Sequence, residues 1–580
     1  MTSVPSRKRL VIVAGVSLAL AFFAALSLGA ALQKSPTADE NFHLVAGYCY
    51  LKWGDFRVNP EHPPLVKLLA ALPLLALDVN DSPLSREHRD EVQVNGKYGW
   101  LLANQWLFSS NDAETLFFYA RLPMVALAAT LGFLIFCWAR ELYGLTAGFA
   151  ALVIYVLDPN ILAHASIIHT DVPFALTFFG GSYFFWRTLK SMSWFNWLMT
   201  GGFFSLSVIT KFSFPIILPI WALLGFVALF SPQPLRSPTG TVVTAPARKG
   251  AWVGALFFSL LVFAWLTVWA AYEFRFQAVS GQETPLGMAA AVEPSAWLTP
   301  AMSANMTWHL VPEAWLTGLV YALSSFNRTA YLLGEISGEG FWWYFPIAFA
   351  VKTPLPTLAL LLISLMMCLS RSNRRAEEKF LLFPLLIFLG FAVHARINIG
   401  LRHIIAVYPF LFVWLGATAA SLFESSLNRA KYLAVLLGAW LLASTLSAFP
   451  NYLAYFNDLV GSRRAYEILV DSNLDWGQDL KGLKRWMDNN GVHKIQLAYF
   501  GTADPVYYGI NAVYMPGTWS TVLSKAGNGS RAAADAYIAI SATHLVGIYF
   551  APHNPYAKFL DRTPIATIGG SIFVYRTDQF

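Results

Sequence analysis

Residues 7–40 read RKRLVIVAGVSLALAFFAALSLGAALQKSPTADE. Three cations, Arg7, Lys8 and Arg9, precede an unbroken apolar run over 10–32, and the acidic pair Asp39-Glu40 follows it. A helix rises about 1.5 Å per residue, so about 20 apolar residues cross the hydrocarbon core of a bilayer. The run is longer than the roughly 7–15-residue core of a signal peptide, and it reads as a membrane anchor. Its flanks also set a direction, because short basic segments stay on the cytoplasmic side.

Working outward, similar apolar stretches recur at 118–138, 145–164, 172–189, 194–210, 212–230, 251–272, 345–369, 380–395, 404–423 and 431–449. The 580-residue chain is 56% hydrophobic and only 13% charged, against about 25% charged in soluble proteins. Its mean hydropathy is +0.50. These values exclude a string of soluble domains, a disordered chain and a collagen. Three cysteines, Cys49, Cys137 and Cys368, make no disulfide framework. The net charge of +7 is scattered in short clusters between the apolar runs. That pattern encodes topology and gives no sign of a nucleic-acid partner.

The clusters alternate. One set of connections carries Arg7/Lys8/Arg9, Arg140, Arg187/Lys190, Arg236/Arg248/Lys249, Arg371/Arg374/Arg375/Lys379 and Arg429/Lys431. The short turns of the other set carry only Lys211, Arg396 and Arg402. The expected fold is therefore mainly α, a polytopic membrane helix bundle of about eleven spans with a cytoplasmic N-terminus. Residues 1–450 form the bundle, with long external loops at 33–117 and 273–344, and residues 451–580 form a small extracytoplasmic α/β domain. Helical patterns at 463–470 and 478–489 alternate there with strand-like runs at 494–500, 537–541, 545–550 and 572–575. The apolar stretch 63–77 is short and bounded by prolines, and reads as an interfacial or re-entrant helix.

Ionisable groups at a membrane boundary are costly and therefore informative. Asp39-Glu40 leave the first span, and His43 lies one helical turn beyond Asp39. The string Asn59-Pro-Glu-His62-Pro-Pro-Leu-Val-Lys67 puts a Glu, a His and a Lys around an apolar helix start. Arg121 begins the second span; snorkelling to the headgroups is its ordinary role. His169-Thr-Asp171-Val-Pro173 precedes the fourth span, where Asp171 fits an N-cap with Pro173 in the first turn. Lys211 and Arg402-His403 lie in external turns against the charge rule, and Lys352 lies inside an apolar span. All collect at one membrane face from connections far apart in sequence. Cations at headgroup depth suit a phosphate, and carboxylates beside them suit activation of a hydroxyl.

Asp39-Glu40 with His43, the string His62-Pro-Pro-Leu-Val-Lys67-Leu-Leu, Arg121 and Asp171 together resemble the protein O-mannosyltransferases. The wider group is the C-type membrane glycosyltransferases (GT-C), which includes the aminoarabinose transferase of lipid A. The specific motifs cover about the first 210 residues. The resemblance implies a polyprenyl-phosphate-linked sugar donor and inverting transfer on the extracytoplasmic face to a protein, lipid or glycan acceptor. It implies Asp39 as general base, Glu40 and Asp171 beside it, and Arg121 as a structural or active-site arginine. Lys211, Arg402, His403 and Lys352 are the candidates for holding the donor phosphate. His43, His62, Lys67 and His169 are further active-site candidates. If a divalent metal ion takes part, Asp39 and Asp171 are its expected ligands. The loop 273–344 is too short for the β-trefoil domain of the eukaryotic enzymes, and the tail containing Asp471-Ser-Asn-Leu-Asp475-Trp-Gly-Gln-Asp479 resembles bacterial members. An inner (plasma) membrane location follows. The loop 475–479 reads either as an acceptor-binding loop or as a helix start, with the helix start favoured. Rival readings are a transporter or flippase for an anionic or lipid-linked substrate, a polymerase or ligase of lipid-linked glycans, and a non-catalytic membrane scaffold. A transporter of this size usually carries internal repeats, and none is visible.

Overall fold

The computed structural model describes residues 6–577 except 95, 239, 282–285, 287–297, 325–327, 371–375, 462 and 518–535. The Arg371/Arg374/Arg375 cluster and part of the 273–344 loop lie outside the described residues. Each of the eleven apolar stretches is helical. Among the described residues, five helices are by themselves long and apolar enough to cross a membrane: Arg7–Ala31, Ala113–Tyr143, Pro246–Ala271, Leu401–Phe423 and Asn428–Ala448. The chain is an integral membrane protein.

Two of the expected single spans are bent pairs. Leu145–Val156 and Pro159–Ala165 meet at 66°, and Tyr344–Lys352 and Leu355–Ser370 at 114°. At the first bend Asp158 accepts hydrogen bonds from the Asn160 and Ile161 amides at 2.9 and 3.0 Å and starts a new helix. At the second, Thr353 is extended (ψ 133°), as the residue before Pro354 must be. Hydropathy runs straight through both bends, which is why the sequence reads them as continuous spans.

The centre of the bundle packs Ala113–Tyr143, Leu145–Val156 and Tyr408–Phe423 together. Gly416 allows this approach: a Cβ there would lie 2.7 Å from the Ala151 Cβ and 2.8 Å from the Ala147 carbonyl oxygen. The first helix, Pro246–Ala271 and Asn428–Ala448 are mostly exposed along their apolar lengths, as lipid-facing helices are. Residues 63–77 form a short helix, Leu65–Ala71, followed by a 3-10 turn, Leu72–Ala76.

The C-terminal part contains a five-stranded mixed sheet. Its order is Ala512–Tyr514, Ile495–Ala498, Tyr537–Ser541, Ile572–Arg576 and Ala566–Ile568. The first three strands run parallel and the last two pair antiparallel. The expected strand at 545–550 is absent. The chain makes a short helix, Ala542–Leu545, and then turns at Gly547 (φ 77°), where a left-handed residue ends any strand.

Candidate active site

The helix Glu40–Trp53 begins at the acidic pair. Glu40 is fully buried and both of its oxygens are committed. Arg121 donates to it through Nε and Nη2, each at 2.9 Å. The Thr37 amide and hydroxyl donate at 2.7 and 3.1 Å, and the Ile168 amide at 3.3 Å. Arg121 is therefore a buried bidentate partner rather than a snorkelling side chain. This pair fixes the acidic loop against Ala113–Tyr143, and breaking a buried pair of this kind costs about 3–5 kcal/mol. Asp39 points the other way.

Asp39 lines a cavity of about 170 Å³ with His62, His169, Lys211, Arg402 and His403; Glu61, Tyr321 and Arg328 are also in its wall. Its carboxylate is 31% exposed, and that exposure faces the cavity. Asp171 is the first residue of the helix Asp171–Lys190, but it does not act as the expected cap. Thr170 holds the cap position without a side-chain bond. The Asp171 carboxylate instead meets Lys211 Nζ at 2.5 Å and His169 Nδ1 at 2.7 Å. Arg402 Nη1 donates to His169 Nε2 at 2.7 Å. The same Nη1 lies 3.6 Å from Asp171 and 3.8 Å from Asp39. His403 is half-buried, and its shielded Nε2 has no hydrogen-bond partner among the described residues.

Burial dominates the electrostatics. It pushes the Asp39 carboxyl up to about 7, against the pull of Arg402 and with help from Glu61 and Asp471. Burial lowers His169 to about 4, with Asp171 opposing. It also holds His43 and His62 well below the usual imidazole range. A neutral His169 accepts at Nε2 from Arg402 and sets its Nδ1 2.7 Å from the Asp171 carboxylate.

The donor set does not suit a divalent ion between Asp39 and Asp171. Lys211 and Arg402 already stand as the cations beside these carboxylates. His43, His62 and His169 bring one ring nitrogen each to within 4.8 Å of one another. The Arg402 guanidinium, however, occupies the His169 lone pair that a metal would need.

Lys352, Lys67 and His43, like Glu40, Arg121 and Asp171, lie outside the cavity wall. The Lys352 ammonium donates to the Leu453 and Asn473 carbonyls at 2.9 and 2.6 Å. It ties the bundle to the C-terminal part and does not face the cavity. Lys67 donates to the carbonyls of Asn59 and His62 and to the Tyr50 hydroxyl, stapling the Pro-rich loop that presents His62. His43 stands behind His62 and His169, with ring centroids 5.4 Å from each.

Other residues were not expected. Arg402 Nε donates to Ser472 at 3.0 Å, and its guanidinium carbon lies 4.2 Å from the Trp476 ring centre. Glu61 and Arg328 sit across the cavity from these, 4.0 Å apart. The sequence signal at Trp476 was the loop 475–479, read as an acceptor-binding loop or, by preference, a helix start.

Residues 113–269 match the family described as dolichyl-phosphate-mannose-protein mannosyltransferase. This stretch of the chain is similar to that family, and it contains Arg121, His169, Asp171 and Lys211 of the site. Solved structures are similar at low identity. The Saccharomyces cerevisiae protein O-mannosyltransferase Pmt1-Pmt2 complex bound to the sugar donor matches at 10% identity and TM-score 0.49, covering 77% of this chain and 90% of that one. ArnT from Cupriavidus metallidurans bound to undecaprenyl phosphate matches at 10% identity and TM-score 0.43, covering 98% of each. The Archaeoglobus fulgidus oligosaccharyltransferase in its apo form matches at 12% identity and TM-score 0.40, covering 92% of this chain and 71% of that one. No curated protein matches the chain.

Proposed function

We propose that the chain transfers a single sugar from a polyprenyl-phosphate carrier to an acceptor hydroxyl on the extracytoplasmic face, with inversion. The observation that carries this reading is the placing of Asp39 and of Lys211 and Arg402 on one small cavity. The donor is already activated, since its leaving group is a phosphate. Asp39 takes the proton from the acceptor hydroxyl. That oxygen attacks the anomeric carbon from one side as the bond to the phosphate oxygen breaks on the other. The electron pair leaves on the lipid phosphate, whose charge Arg402 and Lys211 receive. Preorganised cations in a partly dry site act strongly on such developing charge. His403, with an unpartnered Nε2, supplies a further contact to the donor.

A cavity of about 170 Å³ is below the roughly 300–1,000 Å³ of drug-sized sites. That favours one small group at the reacting centre over an oligosaccharide. Asp171, held between Lys211 and His169, is a positioning residue here, as are Glu40 and Arg121. We read the membrane as a bacterial inner membrane, with the N-terminus cytoplasmic. The test is a transfer assay in membranes with radiolabelled polyprenyl-phosphate sugars, following label into protein, lipid and polysaccharide. Label should move from the carrier with the wild-type chain and stay on it with Asp39→Asn. Near-normal turnover by that variant removes Asp39 from the base role.

A further inference from the structure

The stretch Asp471-Ser-Asn-Leu-Asp475-Trp belongs to the C-terminal part, yet it packs against Arg402 of the cavity wall. Trp476 is 2% exposed and does two things at once. Its carbonyl accepts the Ala38 amide at 2.9 Å, one residue before Asp39. Its ring face carries the Arg402 guanidinium at 4.2 Å. The ring also packs with Ala38, Ile167, Leu453 and Phe500. Ser472 accepts from Arg402 Nε at 3.0 Å and donates onward to the Ile399 carbonyl at 2.7 Å. Asn473 accepts the Leu401 amide at 2.8 Å and donates to the Tyr344 hydroxyl at 2.8 Å.

The loop is held from behind as well. Asp475 accepts the Thr543 amide at 3.0 Å, and the Thr543 hydroxyl accepts the Asp471 amide at 3.1 Å. Asp471 adopts φ 56°, an uncommon conformation for a residue other than glycine. An outlier of this kind persists where surrounding contacts over-determine the backbone, often beside a functional site.

We propose that Trp476 and Ser472 are positioning residues that set the spacing between Asp39 and the Arg402 guanidinium, making this C-terminal loop part of the donor-phosphate site rather than a platform for the acceptor. An arginine with its plane against an aromatic face and its Nε hydrogen-bonded has a single orientation. That orientation aims Nη1 between the two carboxylates. The inference rests on the donor reading given above, and the experiment separates the two.

The full-length protein in detergent is titrated with undecaprenyl phosphate and, separately, with undecaprenol, which lacks the phosphate. Trp476→Leu, Trp476→Phe and Ser472→Ala are compared with Arg402→Gln. Trp476→Leu and Ser472→Ala should weaken undecaprenyl phosphate binding about tenfold, in the range of a lost cation–π contact or hydrogen bond to a charged group. Undecaprenol binding should be unchanged, and Trp476→Phe should restore phosphate binding to near wild type. If Arg402→Gln leaves phosphate binding intact, the donor reading falls. If Arg402→Gln weakens binding while Trp476→Leu and Ser472→Ala match wild type, the positioning role is overturned and the donor reading stands. Equal loss for both lipids means a merely structural role and also overturns it. Should Trp476→Leu fail to fold, Ser472→Ala decides.

Discussion

Burial pushes the Asp39 carboxyl up to about 7, and this has opposite consequences for activity and stability. A general base works ionised, so the transfer rate should rise with pH through about 7 and level off above it. Asp39→Asn should abolish that limb and lower the rate by about 10²–10⁴-fold; a pH profile of kcat/KM checks both. For stability the sign reverses. The folded state holds the Asp39 proton up to about 7, whereas the unfolded chain releases it near the usual carboxylate value of about 3.9. Stability from this group is full below the unfolded value and is lost as pH rises through about 7. Asp39→Asn should therefore raise Tm at pH 8 and do little at pH 4, which calorimetry in detergent would show. Asp171 gives a second residue-scale expectation. Lys211→Met strands a buried carboxylate and should cost about 3–5 kcal/mol, while Lys211→Met with Asp171→Asn should recover much of that loss. Thermal unfolding of the single and double variants measures the coupling. The acids and Lys211 were legible because charges at a membrane boundary stand out. The pairing of Glu40 with Arg121 was not legible, since nothing local couples residues so far apart.

At the scale of elements, the site depends on how closely Glu40–Trp53 meets Leu65–Ala71. A Cβ on Gly47 would lie 2.0 Å from the Lys67 carbonyl oxygen, so the two backbones touch there. Gly47→Ala must push them apart and should cost about 1–3 kcal/mol. Because Lys67 staples the loop carrying His62, transfer should fall in the same variant; Tm and rate measured together would show it. The His-Pro-Pro-Leu-Val-Lys string was readable as a stiffened helix start. Its purpose was not, because the lysine bonds carbonyls that the sequence does not mark as acceptors. Both bends carry a proline, Pro159 and Pro354, but the apolar runs on either side read as one span. The run LVGIYF has the composition of a strand, but its glycine turns the chain, and strand preference yields to such context.

For the whole molecule, the alternating charge of the connections fixes a testable orientation. Cysteines placed at Arg429 and Arg464, both exposed, should label from opposite sides: the first only after the membrane is opened, the second in intact cells. Labelling of both from one side would reverse the proposed placement of the C-terminal part. The bundle was legible because its helices are written in apolar length and flanking charge. The contact of Ser472 and Trp476 with Arg402 was not, since Ser472 reaches Arg402 across 70 residues of chain.

The groups of the site run along the sequence from Asp39, on the cavity, to Trp476, against Arg402. A ribosome delivering this polypeptide from its N-terminus releases the bundle first and the closing loop last. A half-synthesised chain thus has its acid without the assembled guanidinium, and on the proposed function it is inactive until synthesis is complete.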